Sequence, residues 1–175
     1  MTLKPRRLLS GLICAGLLSA CSANGDAHSE RSNLRADVKQ GQETLQTAEA
    51  FLTAAGMGDM STLQGLMADD FVWHNEGDDT LPWIGTWEGK EIVLSEFLPA
   101  FGAGLTTTSW TTDYAMAMGD QAVFIGTMSA TANASGGETG EFSWAVRVHV
   151  EDGLVKSWNW FEDSFAVSEA YHAAD

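Results

Sequence analysis

Cysteine is almost missing from this 175-residue chain. The two present, Cys14 and Cys21, both lie near the N-terminus, so nothing from residue 22 onward can form a disulfide, supply a thiolate ligand or act as a cysteine nucleophile. Packing alone must hold whatever folds there. Basic residues are scarce too, with nine Lys and Arg against 24 Asp and Glu and a net charge of −15. A surface of that sign repels phosphate backbones and anionic head groups, which argues against nucleic acid as a partner. The four histidines are His28, His74, His149 and His172, and no two share one element at ligand spacing, so no metal site is expected. A glycine-rich phosphate loop, a nucleophile elbow and a Cys/His pair are all absent, and no cofactor is expected.

The first twenty residues do not read as part of a fold. Lys4, Arg6 and Arg7 form a basic leader, and Leu8 to Leu18 is an apolar run too short to span a bilayer. Leu18-Ser19-Ala20-Cys21 follows, a small-residue cleavage site that ends in cysteine. Together these features resemble the signal peptide and lipobox of bacterial lipoproteins, which implies cleavage before Cys21 and acylation of its thiol and new amino group. Each buried methylene contributes about 0.8 kcal/mol, and more than one chain makes the anchoring durable. Ser22 stands where such proteins carry Asp for inner-membrane retention. The expected address is therefore the periplasmic face of the outer membrane of a Gram-negative envelope, with membrane contact through the lipid only. Three of the nine basic residues and none of the 24 acids leave with the signal, which takes the net charge to −18. Residues 21–40 are then the lipidated cysteine and a polar, flexible tether, and residues 41–175 form one domain.

From Glu43 the pattern turns helical, with Leu45, Ala48, Phe51, Leu52 and Ala55 in one stripe that stops at Gly56 and Gly58. Asp59 or Ser61 can cap a short second helix carrying Leu63, Leu66 and Met67. Phe71 to His74 reads as a strand, Asn75 to Asp79 as an acidic turn, and Pro82 to Gly89 as a loop with two tryptophans. A third helix carries Ile92, Val93, Phe97, Leu98 and Phe101, with Pro99 expected to kink or shorten its last turn. The remainder alternates with period two. Strands are predicted over Leu105–Met118, Ala122–Ala132, Glu141–Val150 and Leu154–Asp163, followed by a short C-terminal helix over 164–172. Helices followed by an antiparallel meander make an α+β pattern.

Four segments resemble the SnoaL-like branch of the nuclear transport factor 2 superfamily. They are Ala55 to Asp59 with Leu63 and Leu66, Ala68 to Trp73, Trp83 to Lys90, and Glu151 to Asp163. The resemblance spans roughly residues 43–170. It implies a cone-shaped, curved, mostly antiparallel sheet wrapped over three N-terminal helices, a deep pocket in the cone, and a homodimer formed through the sheet's outer face. It also implies where chemistry would sit. Ketosteroid isomerases of the superfamily use a tyrosine and two aspartates, and the matching positions hold Phe51, Asn75 and Ala145. Limonene-type epoxide hydrolases pair an arginine with aspartates, and those positions match Gly126, Met128 and Trp160. SnoaL-type cyclases keep an aspartate near that last position. All three constellations lack key groups here.

The last strand holds the most chemistry. Trp158, Trp160 and Glu162 share one face, and Asn159, Phe161 and Asp163 the other. The resemblance turns the tryptophan face inward, toward Phe51, Trp73, Asn75 and Met128. If Glu151-Asp152-Gly153 makes a tight hairpin, Ser143, Ala145 and Arg147 lie opposite Glu162, Trp160 and Trp158; a bulge at Gly153 would bring Trp144 and Val146 inside instead. Glu162 between indoles suits acid–base work, or is a strand-end acid in water. Arg147 can orient a substrate oxygen or join an outer-face ion pair, and Asn75 can hydrogen-bond a carbonyl or hydroxyl. His74 is expected on the outside, and Asp163 as a helix cap. Two functions fit: a cofactor-independent isomerase, dehydratase or hydrolase acting on a small apolar or aromatic molecule, or a non-catalytic ligand-binding or scaffold lipoprotein.

Overall fold

The computed structural model describes residues 23–173, with side chains from residue 29 onward. The expected signal peptide, lipobox and Cys21 lie outside the described residues. Helix α1 (Ala23–Met57) is 35 residues long, about 50 Å at the rise of an α-helix. Its C-terminal half is amphipathic as expected, burying Gly41, Thr44, Ala48, Phe51 and Ala54 against the sheet. Gly41 allows the close approach, because a Cβ there would stand 3.1 Å from the Ala117 carbonyl oxygen. The segment expected to be a flexible tether is helical from Ala23, although residues 29–40 are exposed throughout. Once the buried half is docked, each further residue extends an existing helix without a new nucleus, and no proline interrupts it. The expected boundary between residues 40 and 41 therefore falls inside one helix.

Gly58, at φ 67°, ends α1 in the left-handed region. Asp59 then caps α2 (Met60–Leu66) by accepting from the Thr62 N–H at 3.1 Å. Strand β1 (Met67–Asn75) follows. The tryptophan segment expected to be loop contains a short strand, β2 (Gly85–Glu88), antiparallel to β1 with Trp87 opposite Trp73. The third helix runs as α3 (Lys90–Ile92), a π-helical stretch (Val93–Phe97) and α4 (Leu98–Gly104). Pro99 neither breaks nor shortens it. The Leu98 N–H reaches back to the Val93 carbonyl, and this wider turn accommodates a proline with no N–H to give.

The meander is β3 (Leu105–Met118), β4 (Gln121–Ala132), β5 (Phe142–Glu151) and β6 (Leu154–Glu162), and α5 (Ser164–Tyr171) closes the chain. Sheet order is β2-β1-β6-β5-β4-β3, antiparallel except where β1 runs parallel to β6. The fold is thus the expected α+β cone, an open curved sheet over three helical segments.

One residue in β6 decides which side chains enter it. Asp152 and Gly153, at φ 52° and 75°, form a two-residue turn with Glu151 opposite Leu154, so the tight hairpin does form. The ladder then slips. Val150 faces Val155 but His149 faces Ser157, leaving Lys156 as a bulge. From there Trp144, Val146 and Val148 pair with Glu162, Trp160 and Trp158. Both alternatives weighed from the sequence are therefore half right: the turn is tight, and a bulge still swaps the faces, at Lys156 rather than Gly153. Arg147 pairs with Asn159 and is exposed. Of the two places the sequence left open for Arg147, the ladder gives it the outer one, so it does not orient a substrate in the cone.

Strand β1 also slips between Met67 and Val72, opposite the Lys156 bulge. Asp70 projects from that slip and holds Lys156 in an ion pair, which lowers the Asp70 pKa and raises that of Lys156. The pair's contribution is fully present between the two ordinary values. It is lost as pH falls through the depressed Asp70 value, or rises through the raised Lys156 value. Deleting Lys156 removes the extra residue and its ion pair but leaves His149 opposite Ser157 and Val148 opposite Trp158, so Trp158 and Trp160 stay inward and the cooperative unfolding transition and near-ultraviolet circular dichroism should both survive. Lys156→Ala keeps the residue count and should retain both, with only a small drop in melting temperature.

Candidate functional site

A cavity of about 500 Å³ opens between the sheet and the helices, within the size range of small-molecule sites. One wall is Trp73 of β1, Trp158 of β6, and Phe97 and Phe101 of the third helix. Trp73 anchors this wall, with ring centroids 4.5 Å from Phe97 and 5.4 Å from Trp158. A second part of the lining is Trp110 of β3, Met128 of β4 and Trp160 of β6. Trp110, Trp144 and Trp160 form a group of near-parallel indoles, with centroids 4.2 Å apart for Trp110–Trp144 and 5.2 Å for Trp144–Trp160. Leu52, Thr53, Gly56 and Met57 from the end of α1, and Thr107 and Thr112 of β3, complete the lining. Thr53, Gly56, Met57, Thr107 and Thr112 are exposed and form the mouth. No lining residue is charged or titratable.

Asn75, 3 % exposed, is the most buried of the polar residues that line the cavity. Trp73 and Asn75 are two apart in β1 and share its inner face, so the Trp73 indole N–H donates to Asn75 Oδ1 at 2.7 Å. An indole nitrogen is a donor only, which fixes the amide with its oxygen toward Trp73 and its NH₂ group away. Asn75 Nδ2 donates to the Trp83 carbonyl at 3.3 Å, and the Trp87 indole donates to the same oxygen at 3.3 Å.

Glu162 lies one step beyond Trp160 on the same face of β6, half-buried and outside the cavity lining. Its Oε2 accepts from the Trp160 indole N–H at 2.8 Å. Burial raises its pKa, the Trp160 hydrogen bond opposes that shift, and the Asp163 charge adds to it. Asp163 caps α5, accepting from the Ala166 N–H at 3.4 Å. Asp78, held at about 2 chiefly by the Ser168 hydroxyl and then by Thr80, ties α5 to the loop before Trp83.

The structure brings Trp73, Asn75, Met128, Trp158 and Trp160 together around one space. Three expected members are elsewhere. Phe51 is fully buried behind the first wall, its ring 5.0 Å from Trp158, because α1 presents that side chain to the sheet and gives only its last turns to the cavity. Glu162 meets the cavity only through Trp160, and Arg147 is on the outer face. His74 is outside as expected, with Nδ1 2.7 Å from Thr86 Oγ1 and Nε2 3.7 Å from Glu76. Reasoning from the sequence missed Trp110, Phe97 and Phe101. The helical spacing of the two phenylalanines marked them as core, which fits a core residue and a cavity wall equally. Trp110 was hidden by slips in β3 near Ser109 and Asp113, which break the alternation that would have assigned its face.

Gly126 shows why one expected chemistry is missing. A Cβ there would stand 2.8 Å from the Trp144 ring and 2.0 Å from the Thr111 carbonyl oxygen. An indole from the next strand covers the position, and no side chain fits.

The chain belongs to the SnoaL-like domain family, whose profile matches residues 48–158. No curated protein matches its sequence significantly. Among solved structures it is similar to an NTF2-like protein from Burkholderia xenovorans LB400, at 23 % identity and TM-score 0.68, covering 75 % of this chain and 98 % of that one. It also resembles TerC co-crystallised with polyporic acid, at 17 % identity and TM-score 0.63, covering 74 % and 98 %. An LEH-like epoxide hydrolase from M. tuberculosis is similar at 18 % identity and TM-score 0.59, covering 77 % and 92 %. These likenesses establish the fold.

Two consequences follow from the site's packing. Gly126→Ala should destabilise the protein by about 1–3 kcal/mol in urea unfolding, as overpacking does. A carboxyl whose pKa is raised on folding costs stability as pH climbs above its ordinary 4.5. Glu162→Gln keeps an acceptor for Trp160 and should therefore gain on the wild type as pH rises above 4.5, until the carboxyl ionises in the folded protein as well. A stability difference that does not change with pH would show that the carboxyl is not desolvated.

Proposed function

We propose that this chain is an envelope lipoprotein, anchored through acylated Cys21, whose domain binds a small apolar or aromatic molecule in the cone without transforming it. One observation carries this reading: the cavity is walled by aromatic rings and contains a buried amide but no titratable side chain. Acid–base chemistry needs a group within hydrogen-bond reach of the substrate, and the lining supplies none. Ring walls on two sides suit a flat ligand, since stacked or edge-to-face aromatic contacts add about 0.5–1.5 kcal/mol each beyond burial. TerC, with the same fold, was co-crystallised with polyporic acid, which agrees with a binding role for such a cone. The sequence supports the anchor through the basic leader, the short apolar run and Cys21, and α1 would lead from the lipid toward the domain. Tyr114, Ile125 and Phe161 are exposed and support a homodimer through the sheet's outer face.

A second reading is favoured by Glu162. Its carboxyl has a raised pKa and is hydrogen-bonded to the indole of a lining tryptophan. Rotation of that indole would bring it to a ligand, giving a cofactor-independent isomerase, dehydratase or hydrolase.

Native mass spectrometry with a panel of two- and three-ring aromatic molecules separates the two. Binding predicts retained ligand of unchanged mass and chromatographic identity. It also predicts loss of the complex in Gly56→Trp, which narrows the mouth at a position where an added Cβ meets nothing within 4 Å. Conversion of a bound molecule that stops in Glu162→Gln would favour the enzyme. Cys21→Ser should move the protein from the membrane to the soluble fraction of cells.

A further inference from the structure

We infer that the cavity selects a neutral, planar molecule that carries a hydrogen-bond acceptor, such as a ketone or quinone oxygen, at its inner edge, and that Asn75 is the residue that reads it. This rests on the proposal that the cone is a ligand site and names the chemistry it takes.

Most indole donors along the lining are already engaged. The Trp73 indole N–H is taken by Asn75, that of Trp160 by Glu162, and that of Trp110 by Thr112 Oγ1 at 3.3 Å. The Trp158 indole nitrogen has no partner but is closed off from solvent, so a ligand in the cavity cannot reach it. What remains inside is Asn75. Its oxygen faces Trp73, and one N–H of its NH₂ group goes to the Trp83 carbonyl. The second amide N–H has no partner among the described residues, on a side chain that lines the cavity and is 3 % exposed. A buried donor left unmade costs about 1–3 kcal/mol, and a ligand oxygen placed there recovers it. The threonine hydroxyls are at the mouth, so the deep end is selective for an acceptor while the outer end tolerates polar groups. Charge is disfavoured in both signs, because no lining residue is ionised and a buried unpaired charge is costly.

The backbone enforces the orientation. Trp73 and Asn75 are opposite Trp158 and Trp160 in the parallel β1–β6 ladder, so the amide lies level with the indole walls. A flat molecule stacked between them can therefore present an edge oxygen to it.

Fluorenone and fluorene test this, being planar three-ring molecules that differ by one carbonyl. Titration of the wild-type protein followed by tryptophan fluorescence should give fluorenone about tenfold tighter binding than fluorene, the size of one recovered buried hydrogen bond. Asn75→Asp keeps an oxygen for Trp73 and removes the NH₂ group. It should bring the two affinities together, chiefly by weakening fluorenone. Should that variant not fold, the infrared carbonyl band of wild-type-bound fluorenone replaces it: a shift to lower frequency than in cyclohexane supports the donor, and an unshifted band overturns it. Equal wild-type affinities would overturn the role of Asn75 while leaving the ligand site standing. Failure of both probes and of the whole aromatic panel to bind would remove the ligand site itself.

Discussion

A strand has two faces, and a slip of one residue exchanges them. In this fold that slip is Lys156, and the identity of the cavity depends on it. Without the bulge, β6 would pair with β5 so that Arg147, Ala145 and Ser143 shared the inner face with its tryptophans. With it, Trp144, Val146 and Val148 are inside and fully covered. The bulge is held from two directions. Asp152 and Gly153 fix where the hairpin starts, and Asp70, on the slipped part of β1, holds the extra residue outside. An exposed ion pair adds little stability by itself. Here its consequence is geometric, because it marks the register in which three buried indoles fit.

Most of the architecture was legible in the sequence, and the reasons are local. Asp59 and Asp163 were readable as caps because a capping side chain needs only its own next three residues. Strand β3 begins and ends where expected, bounded by Gly104 and Gly119. What was not legible depends on distant partners. Nothing in the residues around Lys156 announces a bulge, since its partner Asp70 is 86 positions away. Strand β2 is four residues long and exists because β1 offers it an edge. The helix over 23–40 continues a docked one, and its polar composition alone predicts the opposite.

The candidate site was half legible for the same reason. Trp158 and Trp160 could be assigned inward, and Asn75 placed beside them, from parity within one strand. Which residues faced them from β5 and β3 required the slips in both ladders, and these decided Arg147, Trp144 and Trp110. Glu162 illustrates the limit of parity. It is on the predicted face, yet the strand carries it past the cavity, where its carboxylate is used on an indole.

That use connects what the site lacks to what it contains. Trp160 stands where the resemblance to limonene-type epoxide hydrolases would put an acid, and a tryptophan there brings an N–H whose ring is 8 % exposed. Glu162 satisfies it from the next inward position of the strand. Across the sheet, Trp144 covers Gly126 and leaves no volume for a side chain at another such position. Trp73 in turn engages the oxygen of Asn75, so the amide keeps a fixed orientation and offers hydrogen rather than a lone pair. Each indole thus fixes what its neighbour can offer: Trp160 engages the Glu162 carboxyl, Trp144 covers Gly126, and Trp73 holds the oxygen of Asn75. What the three leave along the described lining is aromatic surface and one amide N–H of Asn75. On the proposed reading, the packing that keeps titratable groups out of that lining is the same packing that suits it to a flat neutral molecule.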